Sequence, residues 1–253
     1  MKKATFLEYD KPRLCAMVQD SNPDDMICTI VNSLYDGAEA FGIQLENLEH
    51  QYRNEESLKR IFSFCRGLPI YITSYRNANN TGFTDEQCAE LLLLGIKCGA
   101  TIGDIMGDMF CREEHELTMD AEAIKKQKEL ADKIHALGGE VLFSSHLHGY
   151  YGEEECLRIA REQKARGADV VKIVNFSRTE EEMLENIKIC AHLKTVCDNY
   201  LYLANGEYSR LERQICGSLG CCMYLAVQDY RRNSSKEQPR LSSLKKIRDN
   251  MIF

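Results

Sequence analysis

Three observations on the sequence predict an α/β protein and, within that class, a single (β/α)8 or TIM barrel. Eight short apolar runs recur about every 30 residues, with helical segments between them. The chain has 253 residues, which is the length that eight such repeats need in one domain. The first run is followed by Gln-Asp-Ser-Asn-Pro at 19–23, not by the glycine-rich turn of a doubly wound nucleotide-binding sheet, the alternative fold. We therefore expect one barrel domain over residues 1–253.

The predicted strands are continuous apolar runs, which are typical of strands that a parallel sheet buries on both faces. In chain order they are 14–18, 42–45, 68–73, 100–105, 140–144, 169–174, 200–204 and 220–226. Residues 1–12 precede the first strand, and we expect them to form an extended segment that closes the barrel floor.

The predicted helices carry apolar residues at helical spacing and charges on the remaining face. In the first of them, Met26, Ile30 and Leu34 share one side. The predicted helices are 24–41, 85–98, 119–137, 153–166, 180–193 and, after Pro239, 242–250. Their charged residues are expected to be solvated.

Composition excludes several classes of function. The net charge is −7, and no basic stretch suggests a nucleic-acid partner. No apolar run is long enough to span a membrane, and the N-terminus lacks the apolar core of a secretory leader. The twelve cysteines include no Cys-x-x-Cys pair, which argues against a structural zinc site. These features indicate a cytoplasmic protein with reduced thiols.

Lys172 is the most informative residue, because it interrupts the apolar run 168–174. A lysine in a buried strand is costly unless it is used, and a neutral amine is the nucleophile of Schiff-base chemistry. The preceding run ends at His146, whose imidazole can move protons near neutral pH. Simpler interpretations remain open: Lys172 could lie at a strand edge, and His146 with His148 could form a metal pair, although no third ligand is evident.

In a TIM barrel the active site lies at the carboxyl ends of the strands, so polar residues there are candidates for function. Arg76 and Arg210 can hold a carboxylate through the bidentate guanidinium fork, so a small keto-acid is the expected substrate. The polar residues that follow predicted strands are Gln44, Glu46, Arg76, Asp104, Asp108, His146, His148, Asn175, Asn205, Glu207, Arg210, Ser234 and Gln238.

These segments resemble the type I 3-dehydroquinate dehydratase family of the shikimate pathway. Ser144-Ser145-His146 is similar to the family's Ser-Tyr-His strand end, and residues 167–173, Gly-Ala-Asp-Val-Val-Lys-Ile, are similar to its Gly-Ala-Asp-Ile-Val-Lys segment. The resemblance implies a TIM-barrel lyase that removes water from 3-dehydroquinate. In such an enzyme Lys172 forms the Schiff base, His146 is the general acid and base, and no metal or organic cofactor takes part.

The resemblance extends to residues that bind substrate in the family. Ser209-Arg210, followed by Gly217-Ser218, keeps the spacing that places an arginine on the substrate carboxylate. Thr73-Ser74-Tyr75-Arg76 resembles the Thr-x-Arg strand end and puts Arg76 in the pocket. Ser234 and Gln238 keep the family's Ser-x-x-x-Gln spacing after the eighth strand.

The chain also departs from the family pattern. Gln44-Leu45-Glu46 stands where the family has Glu-x-Arg, Asn80-Thr81-Gly82 where it has Glu-Gly-Gly, and Asp104-Ile105-Met106 where it has Asp-x-Glu. Gln44 and Glu46 are therefore candidate substrate contacts of altered charge. Two alternatives remain open: a Schiff-base lyase or aldolase for another keto-acid, and a barrel that binds a metabolite without catalysis. A homodimer is the expected assembly.

Overall fold

The computed structural model describes residues 4–231 and 234–253. Eight strands and eight helices alternate along this part of the chain, apart from short 3-10 turns, which confirms the predicted (β/α)8 architecture. The strands are β1 (Arg13–Val18), β2 (Ala40–Gln44), β3 (Ile70–Thr73), β4 (Ile102–Met106), β5 (Glu140–His146), β6 (Val170–Phe176), β7 (Tyr200–Asn205) and β8 (Met223–Val227). The helices are α1 (Pro23–Tyr35), α2 (Glu55–Ser63), α3 (Asp85–Lys97), α4 (Ala121–Ala136), α5 (Glu153–Ala165), α6 (Glu180–His192), α7 (Ser209–Leu219) and α8 (Leu241–Arg248).

The strands form one parallel sheet that follows chain order from β1 to β7, with β8 paired to β1. The barrel is nearly closed, because the Cys222 amide, just before β8, donates to the Tyr200 carbonyl of β7 at 2.9 Å. In the β5–β6 pair Ser144 lies opposite Lys172, and His146 lies opposite Val174. This register places the predicted lysine one layer below the carboxyl end at which the histidine lies.

The structure corrects three of the predicted boundaries by two or more residues. The first helix ends at Tyr35 instead of 41, because Asp36 caps it and Gly37 adopts a left-handed conformation with φ of +92° that no helix continues. β2 then begins at Ala40, two residues earlier than predicted. The last strand begins at Met223, because Gly220, with φ of +124°, is the C-cap of α7.

Residues 4–12 lie beneath the barrel, as expected for a segment that closes the floor. Phe6 is fully buried, and its amide donates to Glu140 Oε2 at 3.0 Å, at the amino end of β5. Met1–Lys3 lie outside the described residues. No helix in the described ranges has both the length and the apolar composition to cross a membrane.

Arg166, which is 2% exposed just after α5, fixes the loop between β4 and α4. Its Nη1 donates to the Gly107 carbonyl at 2.9 Å and to Gln127 Oε1 at 3.0 Å. Its Nη2 donates to the Thr118 carbonyl at 2.6 Å. The start and the end of the loop are therefore held by one guanidinium, and so is the first half of α4.

We expect Arg166→Met to lower the free energy of unfolding by about 3 kcal/mol, because two loop carbonyls and a buried amide oxygen lose their donor. Urea denaturation measures the change. The matched control is Arg158→Met on the same helix, which removes an exposed ion pair with Glu155 and should change stability by less than about 0.5 kcal/mol. An equal decrease in the free energy of unfolding of the two variants would show that the buried hydrogen bonds of Arg166 contribute no more to stability than an exposed ion pair.

Candidate active site

The amine of Lys172 lies inside the barrel, and the side chain is 4% exposed. Its Nζ donates to Tyr75 Oη at 2.5 Å, to Tyr71 Oη at 2.9 Å and to Asp104 Oδ2 at 3.1 Å. A lysine ammonium has three N–H donors, so every one of them has an acceptor. The lysine predicted from the apolar run is therefore a buried and fully hydrogen-bonded group, not a strand-edge charge.

The three acceptors come from neighbouring strands and support one another. Tyr71 lies in β3, Tyr75 follows β3 by two residues, and Asp104 lies in β4. Both phenols also donate to Asp104 Oδ2 at 2.5 Å, while Oδ1 is buried and has no hydrogen-bond partner. Burial, and after it the charge of Asp104, raises the pKa of both tyrosines well above the usual value, so both phenols stay protonated.

His146, the last residue of β5, is oriented by Glu116 from the β4–α4 loop. Glu116 Oε2 lies 2.6 Å from His146 Nδ1 and accepts the His146 amide at 3.0 Å. Burial opposes ionisation of Glu116, but the charge and hydrogen bonds of His146 outweigh it and lower the pKa of this carboxyl. With Nδ1 held by a carboxylate, Nε2 is the nitrogen left to act on a substrate.

Glu116 reaches the histidine from a strained backbone. Its φ is +44°, a conformation that residues other than glycine seldom adopt and that concentrates at functional sites. The sequence gives little sign of this role, because Glu116 lies in an acidic stretch after Arg112 that reads as a solvated surface. One indication is available in the sequence: Met106 stands where the family pattern has a glutamate. A carboxylate for the histidine therefore has to come from another part of the chain.

Two cavities meet at the carboxyl ends of the strands. The inner one, of about 120 Å³, is lined by Lys172, His146, Tyr75 and Gln44, among other residues. The outer one, of about 380 Å³, shares His146, Tyr75 and Gln44 and adds Glu116. His146 therefore faces both cavities, whereas Lys172 faces only the inner one.

Arg76 lines the outer cavity, but its guanidinium is already paired with two carboxylates. Nε and Nη2 bind the two oxygens of Asp85 at 2.6 and 2.8 Å, and Nη1 binds Asp108 Oδ1 at 2.7 Å. Burial opposes the charge of Arg76, but the two carboxylates outweigh this effect and raise its pKa. The sequence predicted Arg76 as a carboxylate-binding residue, yet the structure leaves it little capacity to bind a further anion.

The structure places Arg210 at the rim and not in either cavity. It is exposed, and its Nη2 donates to the Lys236 carbonyl at 2.7 Å. The cause is helix rotation, because Ser209, Glu212, Arg213, Cys216 and Gly217 form the buried stripe of α7 and Arg210 falls beside it.

Arg213, one turn further along α7, lines the inner cavity instead and is 4% exposed. Its Nε donates to the Ala204 carbonyl and its Nη2 to Asn205 Oδ1, both at 2.6 Å. Sequence reasoning missed Arg213, although the spacing of four to Gly217 and three to Cys216 is a signal that could have found it.

The remaining predicted substrate residues separate into different places. Gln238 lines the inner cavity, whereas Ser234 lines a separate cavity beside β1 and β8. The neighbouring Ser235, and not Ser234, lines the inner cavity with Lys172. Gln44 lines both site cavities. Glu46 is buried and lines neither, because its carboxylate accepts the Thr73 hydroxyl at 2.8 Å.

The described residues contain no group of three or more His, Cys, Asp or Glu side chains placed to hold a metal ion. His148 lines the outer cavity with His146, and two of the acids there, Asp108 and Glu116, pair with Arg76 and His146. The charged partners of the amine and the histidine are thus protein side chains.

The fold and the site define a class: a (β/α)8 barrel with a buried lysine amine and a histidine–carboxylate pair at the carboxyl ends of its strands. The sequence profile of the type I 3-dehydroquinase family matches residues 14–251. The chain belongs to that family, as the resemblance of its motifs indicated.

Solved structures similar to this chain include three 3-dehydroquinate dehydratases. That from Geobacillus kaustophilus superposes with a TM-score of 0.80 at 12% identity, over 95% of this chain and 91% of that one. The type I enzyme from Clostridium difficile gives 0.77 at 16% identity, over 95% and 92%. That from Enterococcus faecalis gives 0.77 at 13%, over 96% and 95%. No curated protein sequence matches significantly.

Glu46 is expected to give stability a defined dependence on pH. Burial raises the pKa of Glu46 to about 7, from an ordinary value of 4.5. The folded state therefore binds this proton more tightly than the unfolded state, so the carboxyl's contribution to stability is lost as pH rises from about 4.5 to about 7, a change of about 3 kcal/mol.

In Glu46→Gln we expect that loss to disappear, so that the variant is more stable than the parent above pH ~7 and not below pH ~4.5. Urea denaturation across this range measures the difference, with the exposed Glu49→Gln as control. A pH-independent difference would contradict the assignment.

Proposed function

We propose that this protein removes water from 3-dehydroquinate through an imine between Lys172 Nζ and the substrate ketone. The observation that carries the proposal is the buried amine, held by three acceptors at the base of a cavity that it shares with His146. Family membership supports the same chemistry. The related Clostridium difficile structure contains covalent modified comenic acid, which fits covalent chemistry in this fold.

The proposed steps use groups already in place. Lys172 attacks the ketone, and the resulting iminium draws electrons from the neighbouring carbon. His146 Nε2 takes the proton from that carbon and delivers it to the departing hydroxyl, which leaves as water. Hydrolysis of the conjugated iminium releases the product and restores the amine.

The substrate carboxylate is best met by Arg213, with Gln238 beside it, because both line the inner cavity. Arg213 donates one hydrogen bond from Nε and one from Nη2 to described residues, and these use two of its five N–H donors, which leaves others for an anion. Arg210, in α7, and Ser234, in the β8–α8 loop, line neither of these two cavities.

A second candidate function is a Schiff-base lyase or aldolase for another hydroxylated keto-acid. The specific observation in its favour is the state of Arg76, which Asp85 and Asp108 neutralise, together with an uncharged Gln44 at the cavity wall. The same lysine and histidine serve either substrate.

We also propose that the protein acts in the cytoplasm as a homodimer. Support for a reducing compartment comes from the twelve free thiols, ten of which are buried. Closed dimers are the commonest soluble assembly, and sedimentation equilibrium measures this one.

Borohydride reduction in the presence of 3-dehydroquinate, followed by peptide mass spectrometry, tests the proposal. We expect a stable adduct on Lys172 with the mass of the dehydrated product. Lys172→Met should lose the adduct and nearly all turnover, while Lys164→Met, which removes an exposed lysine of α5, should keep both. An adduct of undehydrated mass, with faster turnover of another keto-acid, favours the second candidate. No adduct with any keto-acid contradicts both.

Glu116→Gln should lower turnover of the same substrate by about 10- to 100-fold, because the carboxylate that orients His146 is replaced by a neutral amide. The amide keeps the shape of the side chain, so thermal unfolding should change little. Glu114→Gln, an exposed acid of the same loop that lines neither cavity, is the matched control and should retain activity. Steady-state kinetics compare the two, and equal activity would remove Glu116 from the site.

A further inference from the structure

The three acceptors around the Lys172 amine differ in their access to a substrate. Tyr71 and Asp104 are buried, at 0% and 1% exposure, whereas Tyr75 is half-buried. Both tyrosines line the inner cavity, but only Tyr75 also lines the outer one. A carbonyl group that approaches Nζ from the outer cavity therefore arrives on the side of the Tyr75 hydroxyl. Tyr75 is the acceptor that a substrate oxygen meets.

Tyr75 also lies between the amine and the histidine. Its hydroxyl is 2.5 Å from Lys172 Nζ, and its ring meets the His146 ring edge to face, with centroids 5.1 Å apart. In the resting site Asp104 Oδ2 accepts a hydrogen bond from the Tyr75 hydroxyl. Burial, and after it the charge of that carboxylate, raises the pKa of Tyr75 and keeps the phenol protonated. The hydroxyl accepts from the amine and carries a proton that it can donate.

Imine formation poses a proton problem that this geometry answers. An amine that donates to three acceptors is an ammonium, and it has to lose two protons before it is an iminium nitrogen with one. The ketone oxygen has to gain two protons before it leaves as water. Both transfers run from Nζ to the oxygen on the carbon that Nζ attacks, so one acid–base group beside these two atoms can carry both protons.

We propose that Tyr75 is a catalytic acid–base residue that passes protons from Lys172 Nζ to the ketone oxygen during imine formation. The proposal rests on the imine at Lys172 put forward above. It assigns to the phenol a step separate from proton abstraction by His146.

The relay balances in two rounds. In the first, Nζ gives a proton to the Tyr75 oxygen and attacks the carbonyl carbon. The carbonyl π electrons move to the oxygen, which takes the original Tyr75 proton and becomes a hydroxyl. In the second, Nζ gives another proton to Tyr75, and Tyr75 protonates that hydroxyl. The C–O bond then breaks, water leaves, and the nitrogen lone pair forms the iminium.

After each round Tyr75 is again a neutral phenol, so no tyrosinate has to accumulate in the barrel. One positive charge is present throughout, on the ammonium at the start and on the iminium at the end. Asp104 Oδ2 lies 3.1 Å from Nζ, beside that charge. Tyr71, which is fully buried, also holds the amine; it lines the inner cavity but not the outer one.

The test compares Tyr75→Phe with Tyr71→Phe, since each loses one phenol that contacts both Nζ and Asp104. Rapid mixing with 3-dehydroquinate and borohydride gives the rate of imine formation at Lys172. Alkylation of Lys172 by iodoacetamide, scored on the same peptide, gives the nucleophilicity of the amine without any transfer to a carbonyl oxygen. Thermal unfolding establishes that both variants are folded.

We expect Tyr75→Phe to slow imine formation by about 100- to 1,000-fold while alkylation changes by only a few-fold. In Tyr71→Phe the two rates should change by similar factors, because imine formation and alkylation both depend on the amine that this phenol holds. Imine formation by the parent protein should also be slower in deuterium oxide, because protons move in the step.

Three results would overturn the relay. The first is unchanged imine formation in Tyr75→Phe. The second is equal slowing of imine formation and alkylation in that variant, which would assign Tyr75 a purely positioning role. The third is the absence of a solvent isotope effect on imine formation in the parent protein. Absence of any adduct in the parent overturns the imine at Lys172 itself. An adduct in the parent with no effect of Tyr75→Phe overturns the relay alone.

Discussion

A lysine ammonium inside a barrel of apolar strands imposes the strictest constraint on this structure. Removing such a charge from water costs several kcal/mol unless its donors are all satisfied. Lys172 meets that condition with two phenols and one carboxylate, which requires Tyr71, Tyr75 and Asp104 to converge on one point from β3 and β4. The registers of three strands are therefore tied to one amine. The same contacts hold Nζ in a single position, so that a reacting carbon meets an oriented nucleophile.

The histidine depends on a second set of contacts, which begins far from the cavity. Arg166 binds the carbonyls at both ends of the β4–α4 loop. The loop path then brings Glu116 to His146 at the cost of a left-handed backbone. A carboxylate that the resemblance leads one to expect in β4, at Met106, is thus supplied by the loop that follows. The histidine–carboxylate pair of this chain therefore joins a strand residue to a loop residue.

The sequence predicted the strands from their apolar runs, and it predicted two site residues because each is a polar residue in or at the end of such a run. Apolar runs located the eight strands to within about three residues, because parallel strands are buried on both faces. Lys172 and His146 were visible because each breaks such a run. Tyr75 gave no signal, because a tyrosine at a strand end is ordinary. Which of Arg210 and Arg213 faces the cavity depends on the rotation of α7 about its axis. Local sequence patterns do not determine this rotation, because it is set by packing against β7 and β8.

The distribution of negative charge determines which arginine can serve a substrate anion. Arg76 and Arg213 are both cations at the cavity, yet Arg76 spends its fork on Asp85 and Asp108, whereas Arg213 meets only neutral acceptors near the amine. An anion that approached Arg76 would have to displace a carboxylate already bound there, and like charges around it would oppose the exchange. At Arg213 the hydrogen-bond acceptors are neutral, although the charges of Glu212 and Glu237 act on the guanidinium from nearby. In the proposed reaction a substrate carboxylate at Arg213 therefore displaces no bound carboxylate. The ketone of the same substrate then lies at Lys172, which lines the same cavity as Arg213.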